Sequence, residues 1–158
     1  MRHFQPKLPI ALLTAGLLVL SACGDSTTEP EDDHEDHAGE VEGVVLSLSG
    51  QTIASYDGES GRWTGELEVE AGEETSHIAV VFVDHDQQAV PLDADFYLEV
   101  MVEDESIAEF EQDRPGEFGG HLHGVAEGET EVTFSLMHGT VGSGHADFVT
   151  APVHAHVH

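Results

Sequence analysis

Histidine is the residue whose type and placement in this chain can do chemistry. Seven of the twelve histidines fall in the final stretch EFGGHLHGVAEGETEVTFSLMHGTVGSGHADFVTAPVHAHVH: His121, His123, His138, His145, His154, His156 and His158. That density is well above ordinary usage. Imidazole nitrogens accompanied by carboxylates and no thiolate favour Zn²⁺ or Cu²⁺, with Ni²⁺ possible, over hard cations. Met101 and Met137 carry thioethers suited to Cu⁺, but both sit in apolar runs where methionine serves packing. In a strand, residues two apart share a face at roughly 6.5 to 7 Å, so His121 and His123 of GGHLHGV can reach one ion, with Leu122 and Val125 turned to the core. In PVHAHVH the same alternation puts Val153, Ala155 and Val157 inward and the three histidines outward. Those histidines span about 13 Å, so a site there uses two of them, such as His154 and His156, plus a neighbour.

GTVGSG supplies a different geometry. If it is a hairpin connection, His138 and His145 face each other across a strand pair with Cβ atoms about 5 Å apart. Asp147 follows on the same side, completing a His-His-carboxylate start to a coordination sphere.

The elements that must hold these residues read as short strands of period two from Val44 onward. VVLSLSG, TIASYDG and WTGELEVEAG come first. SHIAVVFVD is more continuously apolar, as a central strand is, and DFYLEVMVE, IAEFE, GGHLHGVAEG, TEVTFSLMH and HADFVTAPVHAHVH follow. Gly, Asp and Pro turns separate them at the spacing of an all-β sandwich. Residues 43–158 make one such domain, with no helical period in it.

The motif order LEVEAGEETSHIAVVFVDHDQQAVPL, SIAEFE, GHLHGVAEGETEVTFSL resembles the bacterial Ig-like domains of group 2 over roughly residues 66–158. Gly116, Gly124 and Gly128 stand at that family's turn glycines, whereas DHDQQ departs from its glycine-containing turn. The resemblance implies an Ig-like β-sandwich acting as a non-catalytic binding or spacer module on a bacterial surface. Histidine is not part of the family pattern. Ig-like topology gathers the connections after the second, fourth and sixth strands at one end. It thereby predicts a rim where Asp84, His85 and Asp86, the DRPGE turn before His121, and the His138–His145 pair converge, with His123 nearby. It also implies opposite sheets for the fifth and seventh strands.

The N-terminal region reads as address and tether. Residues 1–22 combine a basic start with an apolar run too short for a convincing span, as in a secretory signal. Leu20-Ser21-Ala22-Cys23 resembles the lipobox of bacterial lipoproteins, which implies cleavage before Cys23 and acylation of this single cysteine. Residues 23–42 are an acidic, core-poor tether. There EDDHEDH sets His34 and His37 among five carboxylates, a composition for loose cation exchange.

Without the signal, Arg62 and Arg114 face all 32 acidic residues. Such a surface excludes nucleic acid and anionic headgroups as partners and favours cations, although solubility alone also rewards it. No HExxH, Gly-x-Ser-x-Gly or comparable catalytic signature is present. The sequence therefore implies a binding protein on an envelope membrane, facing the periplasm or the exterior: a metal buffer, carrier or sensor with a possible envelope protein partner. The alternative is an Ig-like surface or adhesion module with incidental histidines, or with histidines that respond to pH.

Overall fold

The computed structural model describes residues 41–158. The signal, Cys23 and nearly all of the tether, including His34 and His37, lie outside the described residues.

The described chain is all-β, two sheets packed as a sandwich. One sheet runs β3 (Arg62–Gly65), β2 (Gln51–Asp57), β1 (Gly43–Leu48), β5 (Ile78–Val83), β8 (Gly119–Gly124), β7 (Ala108–Glu111). The other is built on the long β9 (Gly128–His138). One edge of β9 carries β6 (Phe96–Val102). Its other edge carries β10 (His145–Val149) along the second half and β11 (Val153–Val157) along the first. β11 in turn pairs in parallel with β4 (Leu67–Val69).

Period-two patterning explains the core. Val44 and Leu46, then Ile78, Val80 and Phe82, meet Val132, Phe134 and Leu136 and Val153, Ala155 and Val157 of the facing sheet, all buried. Phe134 is the hub: Trp63 approaches it from β3 and Phe110 from β7, with ring centroids 6.0 and 5.8 Å away. The Trp63 indole N–H also donates to the Ala151 carbonyl at 2.6 Å, tying one sheet to the other.

Two runs that read as single strands are each divided. WTGELEV breaks at Gly65, whose φ of 87° and close approach to the Ile53 carbonyl suit only glycine, so Trp63 stays in one sheet while Leu67 enters the other. HADFVTAPVHAHVH breaks at Thr150–Pro152, where Thr150 keeps contact with β9 by exchanging hydrogen bonds with Phe134. The DHDQQ turn works without glycine because Gln87 itself takes φ 60°. Val125, expected in the core, is 49% exposed; β8 ends at Gly124, and Gly120 and Gly124 are the residues sharing the buried face with Leu122.

Candidate metal centres

The β9–β10 hairpin places its two histidines as cross-strand partners, His145 opposite His138, with ring centroids 5.4 Å apart. His138 continues the inward parity of Val132, Phe134 and Leu136, so it sits at the margin of the core and not on a wet face. There it stacks on Phe96, its partner on β6, at 4.7 Å and 17°. Packing therefore fixes the plane of this candidate ligand ring. The hairpin loop is anchored from β6 as well: the Gly144 N–H donates to the Tyr97 hydroxyl at 3.2 Å, and the Gly139 N–H to the Asp95 carbonyl at 2.8 Å.

Asp147 joins this pair because β10 bulges between Ala146 and Phe148. The bulge leaves Asp147 without a partner on β9 and re-aims its side chain, as bulges do beside sites. One carboxylate oxygen lies 3.0 Å from His145 Nε2 and the other 3.8 Å from His138 Nδ1. The side chains of His138 and Asp147 are 24% and 23% exposed, against 64% for His145, so the set opens to solvent on one side. Each residue offers a ligand atom within 4.8 Å of the others. Two imidazoles and a carboxylate with an open side match a three-ligand transition-metal site that leaves a coordination position for water or a partner's donor.

A second set of the same composition lies on the other sheet: His77, Asp113 and His121, again within 4.8 Å of one another. His121 Nδ1–H donates to the Thr75 carbonyl at 2.9 Å, leaving Nε2 toward Asp113 at 3.8 Å. The Thr75 carbonyl is the leading cause that raises the His121 pKa above its ordinary value; Asp113, Glu74 and Glu111 add to it, and desolvation works against them.

The other histidines among the described residues join neither set. His123 faces Glu74 and Glu111 at 3.6 and 3.3 Å, so the two imidazoles of GGHLHGV turn to different neighbours instead of one ion. His154 meets Glu131 at 4.0 Å, His156 sits between Glu66 and Glu129 at 3.2 and 3.3 Å, and His158 meets Glu68 at 4.0 Å. These make a ladder of separate pairs, although His156 and His158 stack at 6.4 Å. β8 and β11 do lie in opposite sheets.

The expected rim residues do not fall into one ligand set among the described residues. His121 belongs to a different set from His138 and His145, and His85 pairs with its neighbour Asp86 at 3.2 Å. Asp84 spends one carboxylate oxygen on the backbone N–H groups of Asp86 and Gln88, shaping the turn. The DRPGE turn is held to β6, where the Leu98 N–H donates to the Gly116 carbonyl and the Gln112 amide to the Leu98 carbonyl. The sequence does not single out His77, and it brings in Asp113 only as the first residue of the DRPGE turn. The usable signal was register: His77 stands one step beyond the Ile78–Gly120 pair, opposite His121.

No family model matches the chain, and no curated protein matches it. Among solved structures it is similar to domains 4 and 5 of the S-layer protein SbsC, with a TM-score of 0.42 and 16% identity over 60% of this chain. The chain spans 47% of that structure's length.

Proposed function

We infer that this protein is an exported, lipid-anchored binder of a divalent transition metal, Zn²⁺ or Cu²⁺ with Ni²⁺ possible, acting as a buffer, carrier or sensor. The observation that carries the reading is the convergence of His138, His145 and Asp147 on the β9–β10 hairpin, with one ring already stacked on Phe96. Three ligands and an open side suit capture and hand-over better than permanent burial of the ion. The strongly acidic composition supports it by concentrating cations near the surface. The lipobox resemblance at Cys23 supplies the anchor, and the group 2 Ig-like resemblance supplies the non-catalytic surface module.

Calorimetric titration of the chain from Gly24 onward with Zn²⁺ and Cu²⁺ tests the binding. Saturable binding tighter than about 10 μM at neutral pH is expected. Its absence favours the second reading, a surface module whose histidines respond to pH. That reading draws on the β11 ladder, where each histidine already has a carboxylate ready to pair with its protonated form. Cys23→Ser is expected to release the protein from the membrane fraction, and retention of the processed variant there would remove the lipid anchor from the assignment.

A further inference from the structure

The set on the six-stranded sheet differs from the hairpin set in what it joins. His77 lies in the run that leads into β5, Asp113 follows β7, and His121 is on β8. The β7–β8 hairpin forms the outer part of that sheet, yet only two register pairs, Ile78–Gly120 and Ala79–Gly119, tie β8 to β5. Beyond them the contact continues through the irregular run before β5: the Thr75 N–H donates to the Leu122 carbonyl, and the Leu122 N–H to the Thr75 hydroxyl. His77, Asp113 and His121 sit where regular pairing gives way.

Three features make this a built arrangement. The Thr75 carbonyl accepts the His121 Nδ1–H, fixing the tautomer that turns Nε2 outward, as a carbonyl behind a ligating histidine does. His77 directs Nδ1 to Asp113 at 3.5 Å, and its ring meets that of His121 edge-on at 5.4 Å. Gly119 makes room for this: a Cβ there would collide with His77 Nε2, so glycine lets the imidazole lie over the strand. Ligand atoms around a tetrahedral Zn²⁺ lie about 3.4 Å apart, given bonds of about 2.0 to 2.1 Å. His77 Nδ1 lies 3.5 Å from one Asp113 oxygen and His121 Nε2 3.8 Å from the other, and one ligand atom from each of the three residues lies within 4.8 Å of the others, a spread that a small closure of the side chains brings to that value.

We propose that His77, Asp113 and His121 form a second divalent transition-metal site whose ion clamps the β7–β8 hairpin to the run preceding β5. The site shares no residue with the His138–His145–Asp147 set and stands or falls without it. Its function is structural. An ion there ties three chain segments whose backbone pairing between β5 and β8 is limited to two register pairs and a few further bonds, beside the buried contacts of Ala108, Phe110 and Leu122. It therefore suppresses local opening of the outer sheet.

The test uses the full chain in detergent, with Zn²⁺ as probe, and reads stoichiometry by calorimetry alongside amide hydrogen exchange in β7 and β8. The wild type, His138→Ala/His145→Ala, His77→Ala and Asp113→Asn are compared. The double variant is expected to keep one bound Zn²⁺ and to keep Zn²⁺-dependent protection at Leu122 and Gly124. That protection should be about 100-fold when free Zn²⁺ is near 100 times its dissociation constant. His77→Ala and Asp113→Asn should each lose that equivalent and that protection while retaining the exchange pattern of the metal-free wild type. His77 and Asp113 are exposed enough for folding to survive the change. Loss of all Zn²⁺-dependent protection in the double variant overturns the proposal and leaves the hairpin site standing. So does unchanged protection in both His77→Ala and Asp113→Asn. Binding lost only in those two variants instead removes the hairpin site and leaves this one.

Discussion

The β9–β10 hairpin and the β11 strand carry histidine at similar density, and only one of them gathers it. On β11 and the residue that follows it, His154, His156 and His158 share a face at the strand period. Each is flanked by glutamates from β9 or β4 and takes its own carboxylate. At the hairpin, His138 and His145 come from two strands, meet as register partners, and share one aspartate. Spacing along one strand diverges by nearly 7 Å per like-facing pair, whereas cross-strand partners approach within about 5 Å. Convergence of candidate ligand atoms is thus a property of register and of the β10 bulge more than of histidine count.

The sharpest break in that comparison is a pair of double variants. His138→Ala/His145→Ala should weaken the tightest Zn²⁺ binding of the hairpin site by about 100-fold or more, near 2.7 kcal/mol. His154→Ala/His156→Ala should change it by less than about threefold. Calorimetry reads both. Should the ladder variant be the one that loses binding, the site moves to β11 and register ceases to be the deciding factor.

What the sequence made legible follows the same division. The nine strand runs were visible because their period-two alternation is local, and His138, His145 and Asp147 were visible because a hairpin is local too. The breaks at Gly65 and at Thr150–Pro152 were not, since they answer packing across the whole sandwich: at Gly65 the chain passes from one sheet to the other, and at Thr150–Pro152 it stays on β9 while the Ala151 carbonyl receives the Trp63 indole N–H. His77 is not legible because its link to His121 needs the register of β5 on β8, a non-local fact, whereas Asp113 comes to His121 through the β7–β8 hairpin, in which Glu111 pairs with His121. The expected rim overreached in drawing on where Ig-like loops gather. Sharing an end of a sandwich is a coarser condition than bringing ligand atoms within reach of one ion.

Within the hairpin, Asp147→Asn tests whether the shared carboxylate matters as charge or as shape. The amide preserves size and the bulge but lacks the negative charge that both imidazoles face. We expect a loss of roughly tenfold in Zn²⁺ affinity, about 1.4 kcal/mol, with unchanged urea denaturation of the metal-free protein. An unaltered affinity would make the two histidines the whole of the site.

The hairpin is also bound into the fold more tightly than the ladder's side chains are. Tyr97→Phe removes the hydroxyl that accepts the Gly144 N–H and should cost about 1 kcal/mol in urea unfolding. His154→Ala, at an exposed position with a 4.0 Å ion pair, should stay within about 0.5 kcal/mol of wild type. Equal effects would mean that Tyr97 does not anchor the loop.

The finest effect lies on β8, at His121. With metal removed by a chelator, the Thr75 carbonyl and the carboxylates of Asp113, Glu74 and Glu111 raise the His121 pKa above 6.5. Because folding raises it, the protonated ring contributes stability that is fully present below the unfolded value near 6.5. That contribution is lost as pH rises through the higher folded value. NMR titration of the His121 ring should therefore show a midpoint above 6.5, and Thr75→Ala should leave it so, since the accepting group is the backbone carbonyl. Asp113→Asn should lower the midpoint without returning it fully to 6.5, because the carbonyl acts more strongly than the aspartate. A midpoint at or below 6.5 in the metal-free wild type would show that Nδ1 does not hold its proton against Thr75. The carbonyl would then not set the tautomer that presents Nε2 to Asp113.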